Sequence, residues 1–369
     1  MIQKNGGYYM TEMLSPANTL EGKILKEKWL VHRRISNKEE GVPGTGGNFS
    51  VSYIVSDTET GKEFFLKAFD FSNSLKRSAE AKRNVMADLH TLTTIYQFEN
   101  QLHQICDSKR LKRIVKVLDA GDEFVDGDFM KVVPYLVLEL ADQGDIRKYL
   151  STSAEISIMA KLQHLKDVAL GLIQLHNSSI AHQDIKPSNI MIFSELGAKI
   201  GDLGRASLQG QPQLHDAYNI AGDPAYAPPE QIYGYTVKEW LDRRQRCDLY
   251  QYGSLITFLF TGLTLNALLK MTLPSDISPR SWGGQGNSYE LSLPYLEQAF
   301  EKILIEFDTI KPEWMSKKLK DIVRQCSHPN YKLRGCSKTI TMKNPVLGIE
   351  RFVSDFDLML KKMKIEGIK

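Results

Sequence analysis

Hydrophobic and polar positions alternate along the first third of the chain. KWLVHRRI (28–35), FSVSYIVSD (49–57) and EFFLKAF (63–69) carry the β-branched, aromatic, period-two pattern of strands, and TETGK (58–62) supplies a turn between the last two. From about residue 73 to 105 the period changes. Leu89, Leu92, Ile95 with Tyr96, and Leu102 recur near helical spacing, which predicts one long helix. IVKVLDAGDEF (114–124) and PYLVLEL (134–140) then read as two further strands joined by a loop through VDGDF (125–129). Beyond Asp145 the pattern is mostly helical, and Leu162, Leu165, Val168 with Ala169, Leu172 and Leu175 trace one apolar stripe. The most apolar stretch is 249–269. It is interrupted by Gln251, three threonines and Asn266, and Asp248 stands before it, so it reads as a buried core helix and not a membrane span. Residues 272–290 are turn-rich and polar, the signature of a surface loop, and KKMKIEGIK (361–369) reads as a frayed, basic end.

The chain therefore switches from sheet plus one helix to helices near residue 141. The expectation is an α+β, bilobal fold. It has an N-terminal extension (1–27), a small β-rich lobe with one long helix (28–140), a larger mainly helical lobe (141–360) and a basic tail (361–369). A cleft at the switch is where a ligand would be expected, because clefts between domains favour ligand sites. With 369 residues, 42% of them hydrophobic and 25% charged, the chain can bury a substantial core. A net charge of +3 argues against nucleic acid or a membrane surface as a general partner. Basic runs such as KRSAEAKR (76–83) read as solvated faces. Cys106, Cys247, Cys326 and Cys336 form no CxxC pair, which suits a reducing compartment. Cys326, His328 and Cys336 lack a fourth ligand at zinc spacing. The N-terminus lacks the basic-then-apolar run of a signal peptide. A soluble, cytoplasmic protein is expected.

Two short runs concentrate the chemistry: AHQDIKPSNIMI (181–192) and IGDLG (200–204). Phosphoryl transfer needs a carboxylate to orient a hydroxyl, a cation for the phosphate and oxygen ligands for metal. Asp184, Lys186, Asn189 and Asp202 are residues of those types in that order. Upstream, the glycine-rich GVPGTGGNFSVSYIV (41–55) would let backbone N–H groups approach phosphate oxygens, and Lys67 interrupts an apolar strand where it needs a partner.

Together these runs resemble the protein kinase superfamily, in its serine/threonine form because of Lys186-Pro187. The resemblance implies an enzyme that uses ATP and Mg2+ to phosphorylate serine or threonine in protein substrates, itself included. Gly44 and Gly46 would be the first two glycines of the phosphate loop; the third is missing, with Phe49-Ser50 in that region. Lys67 would bind the α- and β-phosphates and pair with a helical glutamate. Glu99 is preferred to Glu80, although 32 residues is a long interval and implies an insertion. Leu138 would lie beside the nucleotide, and Glu139 and Ala141 would offer backbone groups to adenine. Asp184 would take the hydroxyl proton, Lys186 would neutralise the transferring phosphoryl group, and Asn189 and Asp202 would bind magnesium. Asp248 would support the loop around Asp184, and Arg334 would pair with Glu230 in GDPAYAPPE (222–230). Three departures stand out. Gln183 replaces the common arginine that pairs with a phosphorylated segment, which suggests activity without strict dependence on that phosphorylation. Leu203 replaces phenylalanine, and Asp223 stands where threonine is common. Ser207 and Tyr218 are the hydroxyls open to self-phosphorylation. Two other readings remain: a small-molecule phosphotransferase of the aminoglycoside or choline kinase type, and a non-enzymatic pseudokinase that acts as a binding module.

Overall fold

In the computed structural model, which describes residues 14–35, 50–126, 130–152, 156–342 and 346–368, the alternating segments form one antiparallel sheet. Its strands are β1 (Ile24–Leu25), β2 (Trp29–Arg34), β3 (Ser50–Asp57), β4 (Glu63–Phe69), β5 (Val117–Phe124) and β6 (Val132–Glu139), in the order β1-β2-β3-β4-β6-β5. They belong to the first of two units, made of the described residues up to Gln104 and of Lys116–Leu140. Period two sorts the side chains. Phe64, Leu66 and Ala68 of β4 join Val51, Tyr53 and Val55 of β3 and Val133, Tyr135 and Val137 of β6 in one core. Lys67 falls on the opposite face, in register with Ser52 and Leu136. Residues 14–27 are not an appended extension. Ala17, Leu20 and Leu25 are buried in the same core, and the Tyr53 hydroxyl donates to the Ala17 carbonyl at 2.7 Å.

The long helical run is two helices, α1 (Phe71–Glu80) and α2 (Val85–Ser108). Asp70 caps the first by accepting from the Asn73 amide at 3.1 Å. Lys82 then takes a left-handed conformation (φ 54°), and Asn84 accepts from the Ala87 amide to start the second. α2 lies on the face of the sheet that carries Lys67. Tyr96 meets Phe69 edge-on and donates to the Gly121 carbonyl at 3.1 Å.

The second unit comprises Ile105–Val115 and Ala141 onward. Its elements are α3 (Ile146–Thr152), α4 (Ile158–His176), the short strands β7 (Ile180–Ala181), β8 (Ile190–Phe193), β9 (Gly197–Ile200) and β10 (Ser207–Leu208), and then α5 (Pro229–Ile232). After these come α6 (Arg246–Thr261), α7 (Leu265–Thr272), α8 (Tyr289–Leu304), α9 (Glu313–Ser327) and α10 (Ile349–Ile365). The stripe read along α4 is buried throughout. The apolar stretch from 249 is two helices instead of one. Gly262 ends α6 in the left-handed region (φ 79°), Thr264 caps α7, and the chain bends by 81°. No single helix among the described residues is long and apolar enough to cross a membrane. α6 presses against α9 so closely that a Cβ on Gly253 would collide with Ser327 Oγ. Within 272–290, Ile277 and Ser278 are buried, so that loop is anchored. The basic tail is not frayed: α10 runs to Ile365 and buries Phe352, Phe356, Met359 and Met363, one helical face.

Candidate active site

In the first unit, Lys67 Nζ lies 2.7 Å from Glu99 Oε1. Glu99 is 2% exposed, whereas Glu80 is exposed to solvent. The pair exists because β4 turns Lys67 away from the core and α2 covers that face. The Lys67 ammonium also stands 5.3 Å from the centre of the Phe69 ring. Gly44 and Gly46 lie outside the described residues. Glu139 closes β6: its amide donates to the Lys116 carbonyl at 3.0 Å, and its carboxylate accepts from the Lys116 amide at 2.8 Å. Leu138, beside it, is buried. Ala141 opens the next turn, its carbonyl accepting from the Gly144 amide at 3.1 Å.

In the second unit the structure brings Asp184, Lys186 and Asn189 together around the 3-10 turn Pro187–Asn189 that precedes β8. Lys186 Nζ is 3.0 Å from Asp184 Oδ2. The Asn189 amide nitrogen donates to the Asp184 carbonyl at 2.8 Å and to Asp184 Oδ2 at 3.1 Å. Asp184 Oδ1 accepts from the Asp223 amide at 2.8 Å. The Gly201 amide donates to the Asn189 carbonyl at 2.8 Å, which ties Asp202 to the same turn through the backbone. Asp202 is solvent-exposed in the left-handed region (φ 56°) and accepts from the Gly204 amide, while Leu203 beside it is fully buried.

The backbone carrying Asp184 is held from below by α6. Asp248 accepts from the His182 amide at 2.8 Å, from the Gln183 amide at 2.6 Å and from His176 Nε2 at 2.8 Å. Gln251 accepts from the Ile185 amide and donates to the Gln183 carbonyl, both at 2.9 Å. Asp248 and Gln251 are buried one helical turn apart, so one face of α6 fixes four consecutive peptide units, from 181–182 to 184–185.

A model of the protein kinase domain matches residues 44–345. The chain belongs to the protein kinase domain family. Among its relatives are three serine/threonine-protein kinases: atg1 of Dictyostelium discoideum, PLK4 of Drosophila grimshawi and PknL of Mycobacterium tuberculosis. The first is 26% identical over 249 residues, covering 63% of this chain and 33% of that protein. PLK4 is 30% identical over 181 residues (44% and 22%) and PknL 30% over 131 residues (36% and 31%). The chain thus spans about a third or less of the length of these relatives.

Within this kinase domain, Arg334 and Glu230 form a bidentate pair, both bonds 2.7 Å, with both side chains almost fully buried. Asp223 supplies a side chain whose role the sequence did not reveal. Its Oδ2 is 3.4 Å from Lys186 Nζ, so two carboxylates flank one ammonium. Burial works against the charged form of Lys186, but Asp184 and Asp223 outweigh it and hold the lysine above its ordinary value. The approach demands Gly222, where a Cβ would collide with the Gln183 carbonyl and stand 2.7 Å from Asp184 Oδ1. Ser207 is buried and hydrogen-bonded, which removes it from the accessible hydroxyls, whereas Tyr218 is exposed. Gln251 appeared in the sequence only as a polar break in an apolar run. Its position three residues after Asp248 was the available signal.

The donor set suits magnesium, which prefers oxygen. Asn189 uses its nitrogen on Asp184, leaving its amide oxygen with one long contact, 3.5 Å from the Ser188 hydroxyl, and Asp202 adds a carboxylate. Among the described residues no three His, Cys, Asp or Glu side chains converge on a metal position. An ion here would complete its shell with phosphate and water oxygens.

Proposed function

We propose that this protein is an ATP- and magnesium-dependent serine/threonine protein kinase acting in the cytoplasm. The observation that carries the reading is the Asp184–Lys186–Asn189 cluster, in which a carboxylate and an ammonium lie 3.0 Å apart on a backbone fixed by Asp248 and Gln251. Asp184 accepts the proton of the acceptor hydroxyl as its oxygen attacks the γ-phosphorus of ATP, and ADP leaves. Lys186 offsets the negative charge on the phosphoryl oxygens during transfer. Lys67, kept in place by Glu99, holds the α- and β-phosphates. Asn189 and Asp202 would hold the metal, which when bound supplies charge neutralisation on the β- and γ-phosphates. Lys186-Pro187 supports serine or threonine as the acceptor. Four free, buried cysteines agree with a reducing compartment.

The test is magnesium-dependent transfer of labelled γ-phosphate from ATP to a generic protein substrate, followed by phosphoamino-acid analysis. Phosphoserine and phosphothreonine are expected, with loss of transfer in Asp184→Asn and in Lys67→Ala. Undiminished transfer in both variants refutes the site assignment. Transfer to choline or an aminoglycoside but to no protein favours the small-molecule reading.

A further inference from the structure

Outside the reacting cluster, the mechanism above leaves unused a buried, charged network around Gln183. Gln183 precedes Asp184 and sits in the left-handed region (φ 65°), a conformation that costs a non-glycine residue about 1 kcal/mol. Every polar group of Gln183 is engaged. Its amide and carbonyl bind Asp248 and Gln251. Its side-chain oxygen accepts from Arg244 Nη1 at 2.8 Å, and its side-chain nitrogen donates to Ser207 Oγ at 2.5 Å. Arg244 is 4% exposed, and a guanidinium so buried requires an anion. That anion is Asp216, whose Oδ1 lies 2.9 Å from Arg244 Nη2 and accepts from the Ser207 hydroxyl.

The surroundings aim both partners. Arg244 belongs to a single π-helical turn, Leu241–Gln245, that leads into α6, and such turns are frequent at functional sites. The same turn sends Arg243 to the carbonyls of Asp216 (2.8 Å) and Tyr218 (3.3 Å). Asp216 is fixed in a reciprocal cap with Gln213, and its second oxygen accepts from the Gln213 amide at 2.7 Å. His215 Nε2 is hydrogen-bonded to the Ala206 carbonyl at 3.0 Å. The set closes as a ring of one guanidinium, one amide, one hydroxyl and one carboxylate, each bonded to the next.

We propose that Asp216 and Arg244 are positioning residues for phosphoryl transfer: acting through Gln183, this internal ion pair holds the left-handed backbone that sets the direction of Asp184, without a phosphate on the 202–230 segment. The inference rests on the kinase reading for its activity arm only. Asp216 supplies the anion for Arg244 permanently, and the Ser207 hydroxyl is already engaged at both ends. A phosphate there would break both of its bonds.

The experiment uses the full chain and two variants, Asp216→Asn and Ser207→Ala. Asp216→Asn keeps the shape and removes the charge. Its kcat is expected to fall at least tenfold, with KM for ATP changed less than threefold, and amide hydrogen exchange at residues 182–185 is expected to accelerate at least tenfold. Ser207→Ala removes only the hydroxyl link, and a fall of two- to fivefold in kcat is expected. It decides the matter if Asp216→Asn does not fold. Phosphatase-treated wild-type protein, shown by intact mass to carry no phosphate, is expected to keep its full kcat. Unchanged kcat and unchanged exchange in the variants overturn the positioning role. Loss of wild-type activity on phosphatase treatment overturns the independence from phosphate. If the wild type transfers no phosphate at all, the kinase reading fails, while the exchange measurement still decides whether Asp216 holds the backbone beside Asp184.

Discussion

Arg334→Met should be among the most damaging single changes for stability, and the structure supplies the magnitude. Arg334 is fully buried and spends its guanidinium on five contacts. Two are 2.7 Å bonds to the Glu230 carboxylate, two go to the carbonyls of His328 (2.8 Å) and Pro329 (3.2 Å), and the fifth is the Tyr250 ring, its centre 4.9 Å away. Methionine fills much of the volume but leaves Glu230 as an uncompensated carboxylate at 2% exposure. Breaking such a pair from one side costs about 3–5 kcal/mol, far above the 0–1 kcal/mol of an exposed pair. For a unit of this size each kcal/mol moves Tm by about 2–4 °C, so a fall of roughly 6–20 °C follows. Scanning calorimetry reads it directly. The double change Glu230→Leu with Arg334→Met removes both charges and should be more stable than Arg334→Met alone, because no charge is then left unpaired. A Tm within about 2 °C of wild type for Arg334→Met would refute the reasoning. A double variant less stable than the single would refute it too, by showing that packing and not charge pairing sets the cost.

Other outcomes follow from the same geometry. Lys67→Met and Glu99→Gln should each lower phosphoryl transfer, the first by about 100-fold or more, since one removes a phosphate-binding cation and the other releases it from its 2.7 Å partner; steady-state kinetics against ATP checks both. Gly222→Ala should lower kcat and Tm together, because the added methyl meets the buried Gln183 carbonyl and the Asp184 carboxylate, neither of which is free to withdraw. Gly253→Ala should lower Tm through a cost of about 1–3 kcal/mol, since Ser327 is fully buried and has no space to withdraw. Asp223→Asn should move the alkaline limb of the pH–rate profile to lower pH. Lys186 acts in its charged form, two carboxylates raise its pKa, and losing one lowers the pH at which the ammonium deprotonates; an unmoved limb would show that Asp223 does not bear on Lys186 during catalysis.

What the sequence disclosed and what it hid follow a physical rule. Strands β2, β3 and β4 were legible almost to the residue because period-two alternation is local, whereas β6, buried on both faces, showed as a short unbroken apolar run. The two helical runs were read as continuous because apolar spacing survives a short break. Lys82 in the left-handed region and Gly262 as a C-cap interrupt the backbone without disturbing the pattern. The tail was misread because its lysines mask Met363, which buries one helical turn after Met359. In the site, Asp184, Lys186 and Asn189 lie within six residues, so their motif could be seen at once. Glu99 was reachable only through helix-to-strand spacing. Asp216 and Arg244 were not legible: they are 28 residues apart, the first in a polar loop and the second in the charged run DRRQR, which reads as a solvated face.

The distribution of charge suggests why Gln183 is tolerated beside the reacting carboxylate. An arginine at 183 would place a second guanidinium against Arg244 with only Asp216 to balance both. Glutamine instead accepts from Arg244 and donates to Ser207, so it serves both neighbours with one neutral amide. The consequence is a division of labour within the second unit. Asp248 and Gln251 fix the backbone of residues 182–185 from α6, while Arg244, on the turn before α6, and Ser207 fix the side chain of Gln183, and both are tied to Asp216 of the loop. Two independent anchors on one left-handed residue confine the Asp184 carboxylate more tightly than either alone. Gln183→Ala, which keeps the backbone anchor and loses the other, should then cost less in kcat than Asp248→Asn, which weakens the backbone anchor itself. The reverse order would mean that the side-chain anchor of Gln183, not the backbone anchor from Asp248, sets the direction of Asp184.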